Sequence, residues 1–192
     1  MKVFDEGLII RSSYERNKGK HLAILLLVII ATITIDFATK LIFTDKYFSL
    51  IENILSICFV KNYGGAMGLF LGNYNLLLFI PMGIVVMLIY NYNFVKHKTY
   101  SYTIGMGFIF GGAIGNISDR LFLGSVRDII SIDFLSFTQP VFNMADLFLT
   151  VGFFFIIYYA VIVIPDLIFS TERMEVAFYK EMLKRNKLNE KK

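Results

Sequence analysis

Four stretches of about twenty mostly apolar residues recur along the chain, and nothing else in the sequence limits its fold as strongly. They run over 21–39, 74–94, 100–118 and 147–164. A helix needs about 20 such residues to cross the hydrocarbon layer of a bilayer. Pro81 and Gly83 fall inside the second stretch, which membrane helices tolerate, and Pro165 closes the fourth. Composition agrees, with 56% of 192 residues hydrophobic and a mean hydropathy of +0.63. That is more apolar surface than a soluble domain of this size can bury. The chain therefore reads as an all-α membrane protein with four transmembrane helices.

The basic residues predict its orientation. The tail 1–20 carries five Lys/Arg, the connection between the second and third spans carries Lys96 and Lys98, and the tail after Pro165 carries seven. The other side has Lys40, Lys46, Lys61, Arg120 and Arg127. The excess places both termini in the cytoplasm. The first span lacks a small-x-small cleavage site and ends in Asp36-Phe-Ala-Thr-Lys40, so a retained helix is expected rather than a cleaved signal. The resulting organisation is a cytoplasmic tail over 1–20, a membrane domain over 21–165 and a basic cytoplasmic tail over 166–192. Within the outer segment 41–73, Phe48-Ser-Leu-Ile and Ile57-Cys-Phe-Val-Lys61 are rich in aromatic and β-branched residues, and Asn62-Tyr-Gly-Gly reads as a turn. A small extracytoplasmic β-sheet between helices 1 and 2 is expected there. The C-terminal tail reads as a helix with Met174, Phe178 and Met182 on one side.

The third span carries Gly107, Gly111 and Gly115 at four-residue intervals, with Gly105 and Gly112 beside them. Such a stripe lets a neighbouring backbone approach closely. It also leads to the polar residues, because Asn116 and Asp119 follow within a turn. Asn143 and Asp146 repeat the Asn-x-x-Asp spacing where the fourth span begins. Acids at the ends of membrane segments mark functional sites. Residues three apart share a helix face, so each Asn lies beside its Asp. Asn143 also suits a helix N-cap. Asp119 sits at the negative end of its helix and Asp146 at the positive end of the next. The two carboxylates are thus expected to form an acid–base pair, with Asp119 holding the proton. Asp36 and Lys40 are spaced as a helical ion pair. Asp128 and Asp133 fall in the outer loop, where a solvated or turn role is the ordinary expectation.

Other chemistries lack their residues. Cys58 is the single cysteine, so no intrachain disulfide forms. His21 and His97 are too few for a zinc site, and no metal or cofactor is expected. No Ser–His arrangement, Gly-x-Ser-x-Gly or phosphate-binding glycine loop occurs. No basic stripe interleaved with aromatics points to nucleic acid. A small transporter or proton-coupled channel component using the same acids is the competing reading.

Five blocks in series resemble the lipoprotein signal peptidase family, signal peptidase II. They are Asp36-x-x-Thr39-Lys40, Asn62-x-Gly64-x-Ala66, Gly111-Gly-x-x-Gly115-Asn116-x-x-Asp119-Arg120, Gly124-x-Val126-x-Asp128 and Phe142-Asn143-x-Ala145-Asp146. Gly65, Met67 and Ile129 depart from the usual Ala, Phe and Phe. The resemblance implies an aspartic endopeptidase of the bacterial inner membrane. Its substrate would be a prolipoprotein whose cysteine carries diacylglycerol, and its inhibitors would include the cyclic peptide globomycin. It further implies Asp119 and Asp146 as the catalytic dyad. Asp36, Lys40, Asn62, Asn116, Arg120, Asp128 and Asn143 would support the site or bind substrate.

Overall fold

Close helix packing, made possible by glycine, sets the architecture. The computed structural model describes residues 2–65, 72–95, 98–132 and 140–165, together with 168, 169, 173 and 176; of residues 2–17 it describes the backbone alone. The elements in order are α1 (Lys2–Phe43), β1 (Tyr47–Ile51), β2 (Leu55–Asn62), α2 (Tyr74–Phe94), α3 (Tyr100–Leu123), β3 (Val126–Ile132), β4 (Val141–Phe142) and α4 (Met144–Tyr158). A π-helical turn, Tyr159–Val163, prolongs α4.

Among the described residues, three helices are long and apolar enough to cross a membrane: Lys18–Phe43, Tyr74–Phe94 and Met144–Val163. The fourth expected span, α3, is a continuous helix of 24 residues whose glycines and polar residues dilute its apolar character. It lies at the centre and packs on its neighbours through two glycine faces. A Cβ on Gly107, Gly111 or Gly115 would strike Val28, Thr32 and Asp36 of α1, which are themselves four residues apart. A Cβ on Gly105 or Gly112 would strike Phe155 and the backbone of Gly152, or the backbone of Ala145, on α4. Small residues on both faces let α3 sit between two helices at backbone distance. Around this centre, large apolar side chains such as Phe79, Val86, Met87, Phe153 and Phe154 face outward, as a lipid-facing surface requires.

The first span, expected over 21–39, falls within the apolar stretch Lys18–Phe43, and the helix that carries it, α1, starts at Lys2. One expectation is corrected. The sheet was expected from 41–73 alone, but it has four antiparallel strands in the order β1-β2-β3-β4, and half of them lie between α3 and α4. β3 is rich in Val and Ile, and four of its seven residues, Val126, Asp128, Ile129 and Ser131, are buried. Asn62, Lys61 and Val60 pair with Val126, Arg127 and Asp128, so the segment between α1 and α2 is joined to the one between α3 and α4. β1 forms one edge, with all five residues exposed. The expectations for Ala66, Met67, His97, Asp133 and most of 166–192 fall outside the described residues.

Candidate active site

Helix caps deliver the polar residues. Gly124 ends α3 with a left-handed φ of 74°, which glycine adopts without a Cβ clash, and its N–H donates to Arg120 O. The chain thereby turns into β3 within two residues, and Asp128 on the strand comes back beside the helix end. At the other end of the connection, Asn143 caps α4. Its side-chain oxygen accepts from Asp146 N at 3.0 Å, and Asn143 N donates to Asp146 Oδ2 at 3.2 Å, a complete capping box.

All nine residues singled out from the sequence meet in one network of hydrogen bonds and ion pairs. Lys40, with no exposed surface, donates to Asp36 Oδ2 at 2.7 Å and approaches Asp119 Oδ2 at 3.2 Å and Asn116 Oδ1 at 3.4 Å. Asp36 Oδ1 accepts from Ala145 N at 2.9 Å, tying α1 to the start of α4. Asn116 Nδ2 donates to Asp146 Oδ1 at 2.8 Å, while its oxygen also accepts from Asn143 Nδ2 at 3.1 Å. Asn143 Nδ2 is shared with Asp128 Oδ1 at 2.8 Å, and Asn62 Nδ2 donates to Asp128 Oδ2 at 2.9 Å. Arg120 donates to Gly64 O at 3.0 Å and reaches Asn116 O at 3.4 Å. Asp36 and Lys40 are the ion pair their spacing predicts, and the network extends it to α3.

The acids differ in their partners. Asp119 receives Arg127 N, Nε and Nη2 at 3.0, 3.3 and 2.8 Å and has Lys40 beside it. Two cations and a backbone N–H stabilise its charged form, which opposes the expectation that Asp119 holds a proton. Asp128 was expected in a solvated loop, yet it is only 2% exposed. Among the described residues its hydrogen-bond donors are the neutral amides of Asn62 and Asn143. Burial pushes its carboxyl up to about 6, and the charge of Asp146 adds to the rise. The amides and Lys40 pull the other way and only partly offset it. Asp146 is partly exposed in the first turn of α4. One asparagine, Asn143, therefore touches both the buried carboxyl of Asp128, inclined to keep its proton, and the partly exposed carboxyl of Asp146. Such a pair can divide acid and base duties.

Arg127 escaped the sequence reading, which counted it as one more outer charge. Its signal was its place in a strand that returns, after the Gly124 turn, past the end of α3. An apolar groove of about 340 Å³ opens beside the network, walled by Leu77, Ile80, Ile84 and Leu88 of α2 and Leu149 of α4, with Asn116 and Arg120 at its polar end. Among the described residues no cluster of His, Cys, Asp and Glu could hold a metal ion.

Comparisons with known proteins converge. The family model described as signal peptidase (SPase) II matches residues 28–162. A lipoprotein signal peptidase of Wigglesworthia glossinidia brevipalpis is 38% identical over 139 residues, covering 69% of this chain and 90% of the relative. Another, of Staphylococcus haemolyticus, is 34% identical over 148 residues, covering 73% and 92%. Two solved structures of a bacterial membrane enzyme, determined by the in meso method, superimpose with TM-scores of 0.60 and 0.61 at 30% and 28% identity. They cover 74% and 75% of this chain and 87% and 94% of their own.

Proposed function

This chain belongs to the signal peptidase II family, and on that footing we propose that it is an aspartic endopeptidase that removes the signal peptide from diacylglyceryl-modified prolipoproteins. Its acid pair on this reading is Asp128 with Asp146. The observation that carries the pairing is the contrast in partners: Asp119 is held by Arg127 and Lys40, whereas Asp128 is held by neutral amides and shares Asn143 with Asp146. Asp119, expected from the sequence as the second acid, instead fastens the helices to the sheet.

The chemistry follows from the protonation pattern. Asp146, ionised at the helix N-terminus, takes a proton from a water as its oxygen attacks the scissile carbonyl carbon. Asp128 gives its proton to the carbonyl oxygen. Collapse of the tetrahedral species breaks the C–N bond, and a proton from the pair goes to the leaving amine. Acid–base assistance of this kind is worth about 10²–10⁴-fold. Asn116, Asn143 and Asn62 hold both carboxyls without neutralising them, so little reorganisation accompanies the transfer. Arg120, anchored on Gly64 O at the mouth of the groove, orients substrate. The apolar groove receives apolar parts of the precursor from the bilayer, and a cyclic peptide such as globomycin would compete for it. We place α3 as a fourth spanning helix, both termini in the cytoplasm of a bacterial inner membrane, and the site at the outer face.

A transporter reading wants acids spread along a path. Here Asp36, Asp119, Asp128 and Asp146 gather at one end of the helices, which favours the peptidase. The test is cleavage of a synthetic diacylglyceryl prolipoprotein by the purified chain in lipid nanodiscs, followed across pH. Because Asp128 must be protonated to act, kcat/KM is expected to fall as pH rises through about 6. Activity rising steadily from pH 5 to 8 would oppose that role.

A further inference from the structure

We infer that Arg127 is a positioning residue for the acid pair: its clasp on Asp119 pins the start of β3 to α3 and so sets Asp128 opposite Asp146. The inference rests on the acid-pair reading above. Arg127 fills an unspecified position of the Gly124-x-Val126-x-Asp128 block, so the family resemblance assigns it nothing.

The clasp is local and strong. Arg127 engages Asp119 as a fork, Nη2 to Oδ1 at 2.8 Å and Nε to Oδ2 at 3.3 Å, while its own backbone N donates to Oδ2 at 3.0 Å. Both the strand's main chain and the side chain are therefore held by one carboxylate. A bidentate guanidinium–carboxylate pair fixes orientation as well as distance. The guanidinium also lies 5.7 Å from the ring centroid of Phe37 on α1, and the side chain is 15% exposed. Lys40 carries the tie on from Asp119 to Asp36. Three elements, α1, α3 and β3, thus meet at Asp119. Asp128 is the next residue along β3, and strand alternation turns it to the opposite side, where Val126 is also buried. With the clasp open, Asp128 keeps its pairing with β2 and its side-chain amides, but β3 loses the tie to α3 that sets Asp128 opposite Asp146.

Charge gives the inference a second handle. Asp36, Lys40, Asp119 and Arg127 balance one another. Asp128 faces Asn143 and Asp146 from α4, Asn62 from β2, Lys40 from α1 and Arg120 from α3. Removing Arg127 leaves Asp119 in excess nearby and makes Asp128 harder to ionise. Removing Asp119 leaves Arg127 in excess and makes it easier. Removing both restores balance.

The test is the pH profile of prolipoprotein cleavage in nanodiscs for five variants. Arg127→Gln should lower kcat about tenfold to hundredfold with KM within about twofold, since misplacing a reacting group is costly. It should also move the basic limb up by about half a pH unit or more. Asp119→Asn should move that limb down, and Asp119→Asn/Arg127→Gln should return it near the parent. Arg127→Lys keeps charge but not the fork, so it should restore the limb and only part of kcat. An Arg127→Gln enzyme with unchanged kcat, or with reduced kcat and an unmoved limb, overturns the inference. The fifth variant, Asp128→Asn, separates the two proposals. If it cleaves normally, the acid pair itself fails; if it is inactive while Arg127→Gln is normal, only the clasp fails.

Discussion

Replacing Asp128 with Asn is expected to lower prolipoprotein cleavage by about 10²–10⁴-fold, and Asp146→Asn to do the same, with the folded helices intact in both. An amide fits the space of either carboxyl but can neither hand over a proton from Asp128 nor accept one at Asp146. Asp119→Asn separates this account from the pairing suggested by spacing alone. It leaves Arg127 without its carboxylate and Lys40 with Asp36 alone, so stability should fall by about 3 kcal/mol, the scale of a broken buried pair. Turnover of the Asp119→Asn protein that folds should stay well above that of Asp128→Asn. Single-turnover cleavage assays with thermal unfolding of each variant supply both numbers. An Asp119→Asn enzyme as dead as Asp146→Asn, beside an active Asp128→Asn, would reverse the assignment.

The second large effect lies in the helix packing. Gly112→Ala places a Cβ 2.6 Å from the Ala145 carbonyl oxygen and 2.9 Å from Leu149 Cγ. The Leu149 side chain can turn aside, but the Ala145 carbonyl belongs to the first turn of α4 and cannot. The helix start must move, and Asn143 and Asp146 move with it. Overpacking of this kind costs about 1–3 kcal/mol. Cleavage should fall further than stability, because the displaced turn carries half of the acid pair. Gly83→Ala is the control: a Cβ there meets nothing within 4 Å, and both unfolding temperature and turnover should stay near the parent. Unfolding in detergent micelles, read beside cleavage, checks the pair of variants.

How much of this was legible in the sequence depended on the range of the physics involved. Helix lengths follow from the thickness of a bilayer, so 74–94 was read with the bounds that α2 has. The glycine stripe was readable because four-residue spacing is a property of one helix, and its contacts with Val28, Thr32 and Asp36 follow that spacing. Residues that meet through tertiary folding were harder. Asn116 and Asp119 share a helix face, and that local fact drew Asp119 into the pair. Nothing along α3 says that β3 folds back with an arginine to occupy Asp119. The strand Val126–Ile132 was hidden because its motif residues read as loop chemistry. Asp128 looked solvated for the same reason, and only the pairing with β2 and the closure by Asn143 bury it. The charge in 2–20 argues against a membrane segment but not against a helix, so the reading placed the span and left the helical stretch before it unread.

The acid pair turns on where one proton resides, and site-resolved infrared titration of the membrane-embedded protein reads it directly. A protonated-carboxyl band that disappears as pH rises through about 6, and is missing from Asp128→Asn at every pH, is the predicted result. The same band persisting in Asp128→Asn and vanishing in Asp119→Asn would contradict the account.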